Sequence, residues 1–363
     1  MDSGNPILIC IGLLISFLIT VAYVYCEWLY GYWKRKNVPH KKATSIIYGS
    51  IRKIFKGEES QAIFFKDIYE WKEARSKLTQ ALTVNKLKFI PESVSRMYPS
   101  MKTFLDETND NIEAYELGTN ITSGMAASWS WGIEDSGFTK TNSYVREIAQ
   151  KFVNQFTGSD FSMQLILTNP WFTPLFRPSM VSQETGFFND LTAKSLKMLI
   201  STVKDDAIKD LSGVVASFYF DAYETTARAM SFMFYSLAQY PDVQSRLREE
   251  VKKLSKEQIT LEEVQKLPYL DMVFSEVLRM YPPATFLRKK CTQDCELSGV
   301  KVEAGIHIVL PILALHMDGD IYADPEKFDP ERFSEENKND RHPYAYIPFG
   351  SGPRMCPGKS EYE

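Results

Sequence analysis

The chain has 363 residues, 44% of them hydrophobic, enough for one substantial core or two small ones. Its 42 Lys and Arg against 46 Asp and Glu leave a net charge of −4, which excludes a globally basic surface for nucleic acid. Five cysteines (Cys10, Cys26, Cys291, Cys295 and Cys356) without zinc spacing, and four scattered histidines, argue against a zinc or thiol-redox site.

From the N-terminus, Pro6 to Cys26 carries no charge and is long enough to span a bilayer as a helix. It has neither a basic leading region nor a small-residue cleavage site, so it reads as an uncleaved anchor. Trp28, Tyr30, Tyr32 and Trp33 form an aromatic belt, and Lys34-Arg35-Lys36 with Lys41-Lys42 place the bulk of the chain in the cytosol. That orientation keeps the formal sequon Asn120-Ile121-Thr122 away from glycosylation. Residues 1–33 are therefore anchor and belt, 34–70 a basic hinge and short segment, and 71–363 the main domain.

Trp71 and Arg75 lie four apart on one face of a helix expected over Glu70 to Leu82, which by itself is only an amphipathic helix. Further helical patterns cover Ser143 to Phe156, Phe187 to Val203 and Asp242 to Lys256. The run Leu211 to Tyr240 is apolar on most faces, as in a helix buried in a large protein. Asp221, Glu224, Thr225 and Thr226 interrupt it, and a carboxylate there is costly unless paired or facing a wet cavity. Thr225 or Thr226 either bonds back to a carbonyl one turn earlier or joins Glu224 as an acid–alcohol pair that relays protons.

A helix is expected over Leu261 to Met280, stopped by Pro282-Pro283, with Glu276 and Arg279 on one face. Exposed, that pair would contribute about 0.3–0.5 kcal/mol. Met272, Val273, Phe274, Val277 and Leu278 surround it, however, so at least part is expected to be buried. A buried pair needs further partners, and Arg332 in Asp329-Pro330-Glu331-Arg332-Phe333 is one candidate. Between Gln293 and Leu315 the texture turns to strands, Val300 to Val302 and Ile306 to Leu315, punctuated by Gly299 and Gly305.

A Pro- and Asp-rich meander, Met317 to Pro348, leads into Phe349-Gly350-Ser351-Gly352-Pro353-Arg354-Met355-Cys356-Pro357-Gly358. One cysteine among glycines and prolines, two residues after an arginine, suits a thiolate bound axially to haem iron. The glycines allow backbone N–H groups to approach the sulfur, and Arg354 suits a haem propionate. The alternative is a turn that contains a buried cysteine.

The spacing Phe349-x2-Gly352-x-Arg354-x-Cys356-x-Gly358 resembles the haem-binding signature of the cytochrome P-450 monooxygenases. Glu276-x-x-Arg279 and the stretch ending Arg332-Phe333 resemble the family's Glu–Arg–Arg cluster, which implies a structural role behind the haem. Ala222-Tyr223-Glu224-Thr225-Thr226 resembles its oxygen-activation motif, with Ala222 where glycine is usual and Asp221 where a small residue is usual. The Trp71-x3-Arg75 pair is similar to a family helix that donates to a propionate, and the N-terminus resembles a microsomal signal anchor. The motifs fall in the family's order from Trp71 to Gly358, and the texture of Leu297 to Gly358 is closest to the insect-type xenobiotic-metabolising clan.

The resemblance implies a mainly α fold with a small β part, P-450-like and incomplete. It implies a haem-thiolate monooxygenase of the endoplasmic reticulum membrane, single-pass with its catalytic domain cytosolic, inserting one atom of O2 into an apolar small molecule. Cys356 would bind iron, Phe349, Gly352, Gly358, Arg354, Trp71 and Arg75 would hold haem, and Thr225 with Glu224 would relay protons. Electrons would come from NADPH through cytochrome P-450 reductase, with cytochrome b5 as a second candidate partner. Lys72, Lys77 and Arg341 are candidates for a docking face, or simply solvated charges. Few residues separate Lys36 from Trp71 and few come after Cys356, so the chain is expected to be internally deleted and C-terminally truncated relative to the family. The strands at Val300 and Ile306 would then lose their natural partners and expose an edge. The alternative to catalysis is a truncated or splice-variant membrane protein that keeps the motifs.

Overall fold

A glycine at a helix crossing and a proline at a helix start set the two halves of the helical core. The computed structural model describes residues 72–73, 75–76, 79, 90–108, 112–133, 137–138, 145–150, 190–195, 205–254, 259–338 and 341–361. The expected anchor Pro6 to Cys26, the hinge of residues 34–70, Trp71 and Lys77 lie outside these. Among the described residues no helix is long and apolar enough to cross a membrane. The helices are α1 (Ile90–Glu107), α2 (Ala114–Trp131), α3 (Asp205–Gln239), α4 (Pro241–Val251), α5 (Leu261–Val264) and α6 (Pro268–Met280). Strands β1 (Leu287–Lys290), β2 (Cys295–Leu297), β3 (Val300–Val302) and β4 (His307–Leu310) come next, then α7 (Ile312–His316). A 3-10 turn (Pro330–Phe333), α8 (Glu335–Lys338) and a second 3-10 turn (Pro357–Glu361) complete the order, so the chain is mainly helical with a small antiparallel part.

The first core forms where α2 packs on α3. Ala126, Ala127 and Trp131 meet Tyr219 and Tyr223, with Val145, Ile148 and Ala149 from the helical residues 145–150. Helix α2 starts where the Glu113 carboxylate accepts the N–H groups of Tyr115 and Glu116 and stops at Gly132, whose φ of 65° only glycine adopts without cost. The buried phenols and indole are satisfied. Ser123 bonds Tyr219 at 2.9 Å, Trp131 donates to Thr192 at 2.9 Å, and Tyr223 donates to Gln150 at 3.0 Å. Asn120 is only 3% exposed within α2, which removes it as a glycosylation acceptor in the folded chain.

The second core collects Leu247, Tyr269, Met272, Val273, Val277, Phe328 and Phe333. Here the single helix expected over Leu261 to Met280 is broken into α5 and α6. Thr260 and Glu263 form a capping box that starts a four-residue helix, and Pro268, having no N–H to continue the ladder, begins a new one. The Glu250 carboxylate of α4 receives the next two N–H groups, from Tyr269 at 3.1 Å and Leu270 at 2.9 Å.

Strands β1 and β4 pair antiparallel, from Leu287 opposite Leu310 to Lys290 opposite His307. The hairpin Cys295–Val302 belongs to a separate compact unit and pairs Cys295 with Val302 and Leu297 with Val300. Its turn places Ser298 at φ 48° and Gly299 at φ 81°, the two positive values that match strand twist in a two-residue turn. Among the described residues the strands at Val300 and His307 each pair with one neighbouring strand. Those partners are local, and the basic run Arg288-Lys289-Lys290 hides β1 from an apolar pattern search. The strand expected to reach Leu315 ends at Leu310, because Pro311 cannot donate to a ladder and instead precedes α7.

At the α2–α3 crossing, a Cβ on Gly118 would stand 2.9 Å from the Ala227 carbonyl oxygen, closer than packed atoms allow. Gly118→Val is expected to lower stability by about 1–3 kcal/mol, through overpacking against main chain that cannot yield. A urea unfolding midpoint unchanged from wild type would show that the two helices can part without cost.

Candidate functional site

Glu276 and Arg279 occupy one turn of α6, and both side chains are fully buried. The guanidinium grips the carboxylate at two points, Nε to Oε2 at 2.7 Å and Nη2 to Oε1 at 2.8 Å. Its remaining donors reach the carbonyls of His316 at 2.9 Å and Lys327 at 3.4 Å, while Glu276 Oε1 also accepts the Asp329 N–H at 2.9 Å. Arg332 completes the group, its Nε 3.5 Å from Glu276 Oε1 and its Nη2 donating to Asp324 O at 2.9 Å. The structure thus brings Glu276, Arg279 and Arg332 together. Arg341 stacks 4.9 Å from the Tyr322 ring and 4.6 Å from Phe333 and donates to Arg332 O, so it packs against this cluster rather than joining Lys72 on a solvated face.

The cluster is tied to the cysteine loop through residues 345–347. Tyr322 OH donates to Ala345 O at 3.1 Å, Tyr346 OH to Ser275 O at 3.0 Å, and the Ile347 N–H to His316 Nε2 at 3.1 Å. In the sequence His316 follows a strand-like run, but no metal spacing or motif sets it apart from the scattered His40, His307 and His342. Burial lowers its pKa to about 4, which keeps the ring neutral and Nε2 an acceptor at neutral pH.

The loop then folds on itself. Gly350 N donates to Ile347 O at 3.0 Å, Cys356 N to Phe349 O at 2.9 Å, and Met355 N to Gly352 O at 3.0 Å. Gly350 and Gly352 hold φ of 73° and 82°, left-handed values that side chains resist. Phe349 and Gly358 are half-buried, whereas Gly352, Arg354 and Cys356 are exposed. Of the other described cysteines, Cys291 is buried with Sγ 2.9 Å from Gln293 O, and Cys295 is half-buried.

On α3, Thr225 is exposed, and its hydroxyl donates to the Asp221 carbonyl one turn back. The neighbouring Glu224 is held by Tyr115 OH on Oε2 at 2.7 Å and by Arg228 Nε on Oε1 at 2.6 Å. Burial and that bond push the Tyr115 phenol up to about 12. Asp221 is half-buried, its carboxyl makes no hydrogen bond or ion pair among the described residues, and burial raises that carboxyl to about 8. Arg75 is half-buried in a helical stretch, where Thr79 donates to its carbonyl at 2.9 Å.

A family model described as Cytochrome P450 matches residues 180–360. The chain is 30% identical over 326 residues to a Drosophila melanogaster protein named probable cytochrome P450 6a13, covering 82% of this chain and 65% of that one. Cytochrome P450 9e2 of Blattella germanica is 31% identical over 83% of this chain and 68% of its own. Cytochrome P450 3A12 of Canis lupus familiaris is 32% identical over 83% and 66%. The chain thus spans about two thirds of the length of these curated relatives, and just under that for the first.

The buried charges lend themselves to two stability measurements. Arg279→Met leaves the buried Glu276 with only Arg332, at 3.5 Å, and is expected to cost about 3–5 kcal/mol in urea unfolding. For Asp221 the unfolded chain releases the proton near pH 4 and the folded chain near pH 8, so wild type loses stability as pH rises through that window. Asp221→Asn should therefore stabilise by about 1–3 kcal/mol at pH 8, allowing for partial hydration, with the gain vanishing near pH 4. A gain that did not change with pH would show that Asp221 stays ionised.

Proposed function

The chain belongs to the cytochrome P450 family, and from that premise we propose that it carries the haem-thiolate machinery of a monooxygenase, with Cys356 as axial ligand. The observation that carries this reading is the exposed Cys356 thiol on a loop turned by two left-handed glycines. Such a loop fits haem: Cys356 is exposed, a Cβ on Gly352 would meet nothing within 4 Å while one on Gly350 would meet Leu287, and Arg354 is exposed two residues away. Bound haem supplies the activation of O2, from which one atom enters a lipophilic small molecule.

The chain's own groups would bind and orient that centre. Arg354 and Arg75, with Trp71, would pair with the propionates, and Phe349, Gly352 and Gly358 would set the distance of the loop. Thr225 would pass protons by turning its hydroxyl away from the Asp221 carbonyl, while Tyr115 and Arg228 hold Glu224 beside it. Glu276, Arg279 and Arg332 would serve as the structural support of the loop rather than as acid–base groups. Electrons would come from NADPH through cytochrome P-450 reductase or cytochrome b5, since the sequence carries no nucleotide-binding fingerprint of its own. Pro6 to Cys26 would anchor the chain in the endoplasmic reticulum membrane, a reading supported by its uncharged run and the Lys34-Arg35-Lys36 flank.

Cys356→Ser is expected to abolish the red-shifted ferrous–carbonyl band that thiolate ligation produces, and Cys291→Ser to leave it intact. Survival of the band in the first variant and its loss in the second would move the ligand to Cys291.

A further inference from the structure

One buried group has a chemistry that its packing does not explain. His316 is fully buried, and the Ile347 N–H can only donate, so the proton of the neutral ring sits on Nδ1. Nδ1 makes no hydrogen bond among the described residues. A buried donor left without a partner costs about 1–3 kcal/mol, a penalty that an apolar side chain of similar volume would avoid. What leucine could not provide is the acceptor at Nε2.

That acceptor lies on a continuous path. Arg279, gripping Glu276, donates to the His316 carbonyl at 2.9 Å. The His316 ring accepts the Ile347 N–H at 3.1 Å, and the Ile347 carbonyl accepts Gly350 N at 3.0 Å. Two residues beyond Ile347, the Phe349 carbonyl accepts the Cys356 N–H at 2.9 Å. The ring also rests 5.3 Å from that of Tyr346, whose hydroxyl is fixed to α6 through Ser275 O.

We propose that His316 is a positioning residue for the Cys356 loop, its neutral Nε2 fixing Ile347 and so carrying the order of the buried Glu276–Arg279 pair to the main chain that holds the cysteine. This rests on Cys356 as the haem ligand. Neutrality is essential, because a doubly protonated ring would turn a donor, Nε2–H, toward the Ile347 N–H. Burial is the main factor that disfavours such a ring; the charges of Arg279 and Arg341 add to it, and the main chain of Arg279 and Leu278 acts the other way without reversing it.

The test uses the haem-loaded full chain with three substitutions. His316→Gln keeps an acceptor oxygen near the position of Nε2, His316→Asn places one nearer Nδ1, and His316→Leu has none. The readouts are the rate at which the red-shifted ferrous–carbonyl band is lost in mild urea and the hydrogen exchange of the Ile347 and Cys356 amides. Leu and Asn are expected to lose the band about threefold to tenfold faster than Gln, the range one lost hydrogen bond gives, with both amides exchanging faster. Should Leu fail to fold, the Gln and Asn comparison decides alone. Rates for Gln and Asn that agree within about twofold would overturn the proposal, since a packing role would not distinguish the two amides. If Cys356→Ser retained the band, the ligand reading would fail instead, and Ile347 exchange in Asn against Gln would still decide whether His316 holds that N–H.

Discussion

One buried ion pair, Glu276 with Arg279, gathers the main chain of residues 316, 327 and 329 around it. Removing two charges from water costs several kcal/mol per ion, and mutual attraction offsets this only when the remaining lone pairs and protons find partners. Here they find them in main chain: the carbonyls of His316 and Lys327 and the N–H of Asp329. Those three residues belong to a stretch whose regular structure is limited to short turns and helices of four or five residues. Side-chain bonds to the backbone therefore do for residues 316–338 what a ladder does for a sheet. Breaking the pair would release the meander as well as expose a charge.

The α2–α3 core obeys a different constraint. Its buried residues are small alanines against large tyrosines, and Gly118 lets the helices approach until the Ala227 carbonyl fills the space of a side chain. Tyr219 and Tyr223, four apart, face that contact. Asp221 and Thr225, also four apart, occupy another face of the same helix, so the polar residues interrupt the apolar run without interrupting the core. The Phe232 ring, 38% exposed further along α3, gains its partner by stacking on Tyr281 at 4.5 Å.

Much of this is legible in the sequence wherever a signal is local. The apolar run of α3 and the Glu–Arg spacing on α6 each depend on residues within a turn or two, and the loop motif depends on ten consecutive residues. The breaks are less legible. Pro268 sits inside a helical pattern that continues on both sides, and only the Glu250 carboxylate from another helix makes a fresh start there inexpensive. β1 is basic along three of its four positions, so no alternation marks it, and its register comes from β4 some twenty residues on. His316 is the least legible of all. Nothing next to it in sequence says that its ring will meet an N–H thirty-one residues later.

The two carboxylates at the centre of α3 show how far environment divides groups that sequence makes neighbours. Glu224 is flanked by a phenol on one oxygen and a guanidinium on the other, so its charge has been given partners. Asp221, three residues earlier, has none among the described residues, and burial alone pushes its carboxyl to about 8. At neutral pH it is therefore largely a neutral donor, in a position where the family pattern has a small residue. A neutral acid can share a buried face with an apolar molecule at much lower cost than a carboxylate, and it offers a proton that an alanine would not. The departure at Asp221 thus places no uncompensated charge on this part of α3 at neutral pH, which explains how the helix can accommodate it.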